Sequence, residues 1–240
     1  MRTVTPIGYL RMSDALTDFN RRLYDEWLPA FCFDERRSYS IEGFRESSVT
    51  VSEFDAANFI DAIDNGLVYD TGGGRYRCAQ SKVHEQLFWT GSKDVTPRPL
   101  SLWLEPIITI ATVARLHFDY GWSEQCLGMQ SKDWAFDFAA FLHDGDENEY
   151  IAGEVKKTPR EIDTLLNDLF EFSSHKVIDC PSDKAHVVNS FRKWKALLER
   201  KPPLFWAVGP GDYTKVFSLN YTAENRAELN ETSLDVLRCQ

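Results

Sequence analysis

The stretch Trp134–Glu161 constrains the fold more than any other part of the sequence. An apolar and aromatic run ends at Leu142, an Asp-Gly turn follows at Asp144-Gly145, and a second apolar run begins at Tyr150. Two short apolar runs joined by an Asp-Gly turn are typical of a β-hairpin. The sequence therefore predicts two paired strands here.

Charged residues interrupt both strands of this predicted hairpin. Asp137 lies within the first strand, and Glu154 and Lys156 lie on the second. Because side chains alternate between the two faces of a strand, Glu154 and Lys156 share a face. If the strands pair as the turn indicates, Asp137 lies across from them. We expect two carboxylates and one ammonium group to meet near the strand ends.

A helix is predicted directly after the hairpin. The segment Thr158–Glu161 has the pattern of a capping box, with Pro159 at the first helical position. The apolar residues that follow recur at helical spacing and are Ile162, Leu165, Leu166, Leu169 and Phe170. The charged residues are therefore expected on strands that lead into a well-defined helix.

The order of these charged residues resembles the signature of a known nuclease superfamily. Asp137, a gap, and then Glu154-Val155-Lys156 is similar to the D…(D/E)xK signature of the restriction-endonuclease-like, or PD-(D/E)xK, nucleases. The order of helix, strand meander and helix is also similar over roughly 100–221. The resemblance implies an α/β fold, with a restriction-endonuclease-like core whose mixed central sheet is flanked by helices.

The resemblance also implies a chemistry for each matching residue. Asp137, Glu154 and the carbonyl oxygen of Val155 match the ligands of Mg²⁺ or Mn²⁺, and Lys156 matches the residue that orients the attacking water. Hard divalent cations prefer such oxygen ligands, and a bound metal acidifies water for attack on phosphorus. Glu105 matches a glutamate that often joins the site from the preceding helix. The implied activity is that of a Mg²⁺-dependent endonuclease, a DNA-binding phosphodiester hydrolase.

Other interpretations of the same residues stay open. Acids and lysines at alternate positions also occur on exposed edge strands, although the aromatic neighbours of Asp137 favour a buried strand. Glu105 is equally well explained as a first-turn helix acid, with Glu124 a weaker candidate for its role. Phe136 stands where the family often has proline. The alternative functions are an inactive nuclease-fold protein that binds nucleic acid or a protein partner, and an acidic interaction or immunity protein.

The charge of the chain bears on its partners. The 240 residues carry a formal net charge of −10, so the chain lacks the global basic field of a strong nonspecific DNA binder. A predicted helix at Asp183–Arg200 is followed by Lys201, and its basic residues are Arg192, Lys193, Lys195 and Arg200. This basic cluster is able to grip phosphates, but a solvated helix face is the favoured interpretation. A homodimer is a further possibility.

Two regions are predicted along the chain. Gly91–Pro99 is polar with two prolines and is typical of a linker. It divides an N-terminal α+β accessory region (1–97) from a nuclease-like domain (98–240). In the first region, a helix from Ser52 and a hairpin around Gly72–Gly74 resemble the end of a winged helix, although a small unit that only packs on the core is favoured.

Several further elements are predicted. The first helix should span Ser13–Leu28, where Pro29 ends it, and the polar segment Thr222–Gln240 should be helical or frayed. The strands expected in the second half of the chain are Glu124–Gln130, Lys176–Cys180, Leu204–Val208 and Lys215–Tyr221.

The sequence also indicates a compartment. It has no run of roughly 20 apolar residues, as a membrane helix needs, and its first residues lack the apolar centre of a signal peptide. Five cysteines stand apart, without a CxxC pair: Cys32, Cys78, Cys126, Cys180 and Cys239. Scattered thiols fit a reducing environment, so a cytoplasmic protein without a membrane partner is expected.

Overall fold

The computed structural model of the chain describes residues 12–33, 39–174, 179–222 and 226–239. Its α-helices are α1 (Met12–Arg22), α2 (Leu28–Cys32), α3 (Glu53–Asp64), α4 (Leu104–Phe118), α5 (Pro159–Ser174) and α6 (Ala185–Arg200). The first five strands are β1 (Tyr69–Asp70), β2 (Arg75–Arg77), β3 (Glu85–Gln86), β4 (Phe88–Thr90) and β5 (Leu100–Leu102). The later strands are β6 (Leu127–Met129), β7 (Phe138–Ala140), β8 (Ile151–Val155), β9 (Leu204–Val208), β10 (Thr214–Tyr221) and β11 (Ala227–Thr232).

The last six strands form one mixed sheet in the order β11–β10–β9–β8–β7–β6. Strands β6, β7 and β8 form an antiparallel meander, and β8 pairs in parallel with β9. A parallel pair needs a long crossover connection, and α5 and α6 supply it here. The predicted α/β class, with a mixed central sheet flanked by helices, is confirmed.

Both faces of this sheet are buried, so its central strands carry apolar residues on both sides. On β9, Trp206 and Val208 face the core built with α4 and the N-terminal helices. Phe205 and Ala207 face the opposite way, into the core built with α5 and α6. Each large side chain that is fully buried in this way stabilises the fold by about 2 kcal/mol.

The central helix α4 is apolar on every face, as its sequence predicts. It is buried from Pro106 to Leu116, between the sheet and α3. Pro106 lies in the first turn, where the missing N–H leaves no hydrogen bond unmade. Along the described residues, no helix is both long and apolar enough to cross a lipid bilayer.

The N-terminal region shares a continuous hydrophobic core with the large sheet. Ser52 caps α3 by accepting a hydrogen bond from the Asp55 amide at 3.0 Å, as its sequence predicts. The buried Asp55 carboxylate also accepts a hydrogen bond from the Gly211 amide at 2.7 Å. Because Gly211 lies in the turn between β9 and β10, this contact joins the N-terminal region directly to the central sheet.

The segment Gly91–Pro99, expected as a linker, is instead the loop of a hairpin formed by β4 and β5. The Gly91 amide donates to the carbonyl oxygen of Pro99 at 2.8 Å, and the Arg98 guanidinium donates to the carbonyl oxygen of Gly91 at 2.9 Å. A proline-containing polar segment is typical of both linkers and hairpin loops, so composition alone does not separate them.

Two predictions are wrong, one about where the first helix ends and one about the last residues of the chain. Pro29 does not end the first helix, because a π-helical turn at Leu23–Trp27 precedes it and places Pro29 in the first turn of α2. The described part of Thr222–Gln240 is not a helical or frayed tail, because β11 pairs with β10, buries Ala227 and is followed only by a short 3₁₀ helix at Leu234–Leu237. The strand expected at Lys176–Cys180 lies for the most part outside the described residues.

A glycine shapes the hairpin formed by β7 and β8. Gly153 lies opposite Phe138, and a Cβ atom at Gly153 would overlap the Phe138 ring. That ring is buried and packs edge to face on Trp206, with 5.5 Å between the ring centroids. The absent side chain therefore lets an aromatic ring cross the strand next to Glu154.

We expect Gly153→Ala to lower the free energy of unfolding by about 1–3 kcal/mol, because the added methyl group overpacks a rigid core. Urea denaturation followed by circular dichroism measures this loss. A Gly153→Ala, Phe138→Leu double variant should lose less than the sum of the two single losses, because the smaller side chain makes room. Additive losses would contradict the proposed overlap.

Candidate active site

The hairpin register brings the predicted site residues together. Phe138 pairs with Gly153, which places Asp137 opposite Glu154. The Asp137 amide donates to the carbonyl oxygen of Gly153 at 2.9 Å, and the Val155 amide donates to Asp137 Oδ2 at 2.8 Å. Two carboxylates thus lie side by side where β7 begins and β8 ends.

Two ammonium groups hold the Glu154 carboxylate, whose side chain is only 1% exposed. Lys156 Nζ donates to Glu154 Oε1 and lies 3.0 Å from the carbonyl oxygen of Val155. Lys193 Nζ of α6 lies 2.5 Å from Glu154 Oε2 and donates to the carbonyl oxygen of Ala135 at 3.1 Å. Each oxygen of this buried carboxylate is therefore paired with a cation, as burial of a charge requires.

The two neighbouring carboxyl groups have opposite pKa shifts. Burial raises the pKa of Asp137 to about 7, and the negative charge of Glu154 adds to the rise. Burial acts in the same direction on Glu154, but Lys193 and Lys156 outweigh it and lower the pKa of that carboxyl. Paired acids with separated pKa values are typical of catalytic sites. Asp137 therefore holds its proton to a higher pH than Glu154 does.

A third acid, Glu85 of β3, was missed by the sequence analysis. Its buried carboxylate accepts a hydrogen bond from Gln130 Nε2 at 2.7 Å. Burial raises its pKa to about 8, and the charge of Asp137 contributes. A single acid in a two-residue strand gives no pattern that would separate it from a surface residue. Glu85 therefore belongs to the electrostatic surroundings of Asp137, although it comes from the N-terminal region.

Glu105 lies at the edge of this group. It is half-buried in the first turn of α4 and accepts a hydrogen bond from Trp103 Nε1 at 3.2 Å. It lines a separate cleft, together with Lys157 and Thr158. Burial lowers the pKa of Lys156, but the carboxylates of Glu154, Asp137 and, more weakly, Glu105 outweigh it and raise that pKa. Glu105 thus acts on the site through its charge, whereas Glu124 is exposed before β6.

The basic cluster of α6 divides into two sets. Arg192 and Lys195 are exposed, as expected for a solvated face. Lys193 and Arg200 turn inward, because seven residues are close to two helical turns and place both on one face. Arg200 binds the buried Glu149 at 2.8 Å. The solvated-face interpretation is therefore wrong for Lys193 and Arg200, whereas the exposure of Arg192 and Lys195 agrees with both interpretations.

The acids and the basic helix line one cleft of about 720 Å³. Its basic lining residues are Lys156, Arg192, Lys193, Lys195 and Arg200. Its acidic lining residues are Asp133, Asp137, Glu154, Glu161 and Glu199. The formal charges of these two sets balance, whereas the whole chain carries a net charge of −10. The cleft is thus less negative than the protein as a whole.

The oxygen atoms of this site fit a hard divalent cation. The ammonium groups of Lys156 and Lys193 already occupy positions beside Glu154 and the Val155 carbonyl, as a bound cation would. In the described ranges, no three or more His, Cys, Asp and Glu side chains are grouped to hold a metal ion. Mg²⁺ needs only one or two carboxylates because it keeps several waters. Asp137, Glu154 and the Val155 carbonyl would hold it once a lysine moves aside.

The chain was compared with protein-family models, with curated proteins and with solved structures. None of the three comparisons gave a match. Its function is therefore inferred from the geometry and charge of the cleft.

We expect Asp137→Asn to stabilise the fold more at about pH 8 than at about pH 5. The folded-state pKa of Asp137, about 7, lies above its ordinary value of 3.8, so the folded protein loses stability as the pH rises between the two values. Asparagine keeps the shape without the ionisation, and the difference should reach about 2 kcal/mol. Urea denaturation at both pH values measures it.

The exposed Glu147→Gln, in the loop between β7 and β8, is the matched control for this experiment. It also removes one carboxylate but leaves the buried pair intact. An equal pH effect in both variants would show that net charge, and not burial of Asp137, is responsible.

We expect Lys193→Met to lower the free energy of unfolding by about 3 kcal/mol, because it leaves one oxygen of a buried carboxylate without its cation. Lys195→Met changes the same residue type on the exposed side of α6 and should stay within about 0.5 kcal/mol of the parent. Guanidinium denaturation compares the two. Similar losses in both variants would mean that the Lys193–Glu154 contact contributes nothing to stability.

Proposed function

We propose that this protein is a metal-dependent nuclease that hydrolyses phosphodiester bonds of DNA. The convergence of Asp137, Glu154 and Lys156 at one end of a buried hairpin, inside a cleft lined by a basic helix, carries this proposal. Buried acids with separated pKa values beside a charged lysine are arranged for hydrolytic chemistry.

The topology around the site supports the same proposal. The order α4, β6, β7, β8, α5, α6 and β9, with an antiparallel meander followed by a parallel strand, is similar to the order of helix, meander and helix on which the sequence resemblance rests. Asp137 at the start of β7 and Glu154 on β8 lie on the second and third strands of this meander.

Each residue has a role that follows from its surroundings. A bound Mg²⁺ or Mn²⁺ would polarise a phosphoryl oxygen and acidify a water molecule. Asp137, Glu154 and the Val155 carbonyl supply the oxygen ligands for it. Lys156 stays charged because its neighbouring carboxylates raise its pKa, so its ammonium group can stabilise the negative charge that develops on phosphorus.

The remaining basic residues serve in binding. Arg192 and Lys195 are exposed and line the cleft, where they are able to bind the phosphates of a nucleic-acid strand. Lys193 holds Glu154 in place and lies close enough to the cleft to approach the same phosphate.

A second candidate function is nucleic-acid binding without cleavage. One observation favours it: the two oxygens of Glu154 are both paired with lysine ammonium groups, which balances the charge of the site without a metal ion. A binding protein with this arrangement would hold DNA equally well in the presence and absence of Mg²⁺.

We expect the purified chain to cleave DNA when Mg²⁺ or Mn²⁺ is added. Asp137→Ala removes a metal ligand and Lys156→Ala removes a stabilising charge, so each should lower the cleavage rate by about 100-fold or more. Lys157→Ala is the matched control, because Lys157 is the next residue along the chain and its side chain is 59% exposed. Gel assays on DNA and RNA, each single-stranded and double-stranded, measure the rates.

Metal-independent binding with no cleavage by any form would support the second candidate function instead. Cleavage that survives in both variants would place the reaction elsewhere and refute the proposed roles. Glu105→Gln in the same assay separates the two interpretations of Glu105, since a first-turn helix acid should leave the rate unchanged.

A further inference from the structure

Trp134 presents a large aromatic surface at the cleft. Its side chain is 72% exposed and lines the cleft that contains Asp137 and Glu154. Among the described residues it makes no ring–ring contact, whereas the exposed Trp89 and Trp103 pack edge to face on each other at 5.4 Å. An exposed indole that lines a concave site is a candidate for ligand contact.

The backbone that carries this indole is held in an unusual conformation. Asp133 and Trp134 have φ values of 56° and 57°, in the left-handed region that residues with a side chain rarely adopt. Each such residue costs of the order of 1 kcal/mol, and strain of this kind clusters at ligand sites. The conformation persists because the loop closes on itself: the Ser131 amide donates to Phe136 O at 2.9 Å, and the Trp134 amide donates to Ser131 O at 3.0 Å.

Helix α6 fixes the same loop from the side of the cleft. The Arg200 guanidinium lies 3.6 Å from the Asp133 carboxylate. Lys193 Nζ donates to the carbonyl oxygen of Ala135 at 3.1 Å, on the other side of Trp134. Because the same Lys193 ammonium contacts Glu154 Oε2, one side chain joins the backbone next to Trp134 to the candidate metal ligand. The backbone that carries the indole is therefore held beside the cleft.

We propose that Trp134 stacks on an unpaired base next to the scissile phosphate, so that the cleft takes single-stranded nucleic acid. This inference rests on the proposed function, in which the cleft binds a phosphodiester strand. A base inside a duplex has both faces covered by its neighbours, whereas a single strand offers free faces to an aromatic side chain. Exposed basic side chains beside an exposed aromatic ring are the usual platform for a single strand.

The distribution of charge supports the same substrate. Arg192 and Lys195 are exposed basic residues on one wall, and Trp134 lies on the loop that faces α6. The backbone phosphates of a bound strand thus contact the basic residues of α6, while one of its bases contacts the indole of Trp134. The cleft is neutral overall, which suits a single strand with its lower charge density better than a duplex.

Fluorescence anisotropy of a labelled DNA strand of about 12 nucleotides tests the inference, with the same sequence as a blunt duplex and as RNA in parallel. Full-length protein is titrated in EDTA, so that binding is read without cleavage. We expect Trp134→Leu to weaken single-strand binding by about 5- to 150-fold, the range that stacking on one base provides. Trp134→Phe keeps an aromatic face and should stay within about 3-fold of the parent.

Controls separate a lost contact from a lost fold. Tyr69→Leu removes a half-exposed aromatic residue from β1, outside the cleft, and should leave binding unchanged. The thermal unfolding midpoint of Trp134→Leu should equal that of the parent, because the indole is exposed. Neither substitution should alter the affinity for the blunt duplex.

The two proposals fail in different ways. Single-strand binding that is the same in the parent and in Trp134→Leu would overturn the stacking inference and leave the nuclease proposal standing. Tighter binding of the blunt duplex than of the single strand would do the same. The absence of binding to any nucleic acid in EDTA would overturn the stacking inference, and the absence of cleavage with added Mg²⁺ or Mn²⁺ would overturn the nuclease proposal as well.

Discussion

The rest of the site depends on the ion pairs that the buried Glu154 carboxylate forms with two lysines. Removing an ionised carboxyl from water costs several kcal/mol unless cations compensate for the lost hydration. The two that do so come from different elements, Lys156 from the end of β8 and Lys193 from the crossover helix α6. The Lys193–Glu154 ion pair holds α6 against the sheet, and α6 forms one wall of the cleft. The ion pair also leaves Asp137 beside a permanent negative charge, which keeps its proton affinity high.

Local patterns in the sequence predict the elements that form through interactions between residues close together in the chain. The capping box at Thr158, the N-cap at Ser52 and the hairpin that carries Asp137 and Glu154 all occur as expected, because each depends on neighbours a few residues away. The meeting of Asp137, Glu154 and Lys156 is predictable for the same reason. It follows from strand alternation and from a single turn.

Contacts between residues that are far apart in the sequence could not be predicted in this way. The ion pair of Lys193 with Glu154 depends on how α6 lies on the sheet, and its sequence context is the same as that of a solvated lysine. Glu85 reaches the surroundings of Asp137 from the N-terminal region, with no spacing that would indicate it. The edge strand β11 was missed because polar residues alternate with Ala227 and Leu229 over too few positions to give a clear period.

The hydrogen bond from the Gly211 amide to Asp55 has a consequence for how the chain behaves as a whole. A shortened chain that began after the hairpin loop at Gly91–Pro99 would lose α3, expose the apolar flank of α4 to water and leave the turn between β9 and β10 without its acceptor. The cleft would then lie on a sheet with one face covered by α4 alone. The N-terminal region therefore stabilises the half of the chain that carries the cleft, although it supplies none of the proposed ligands.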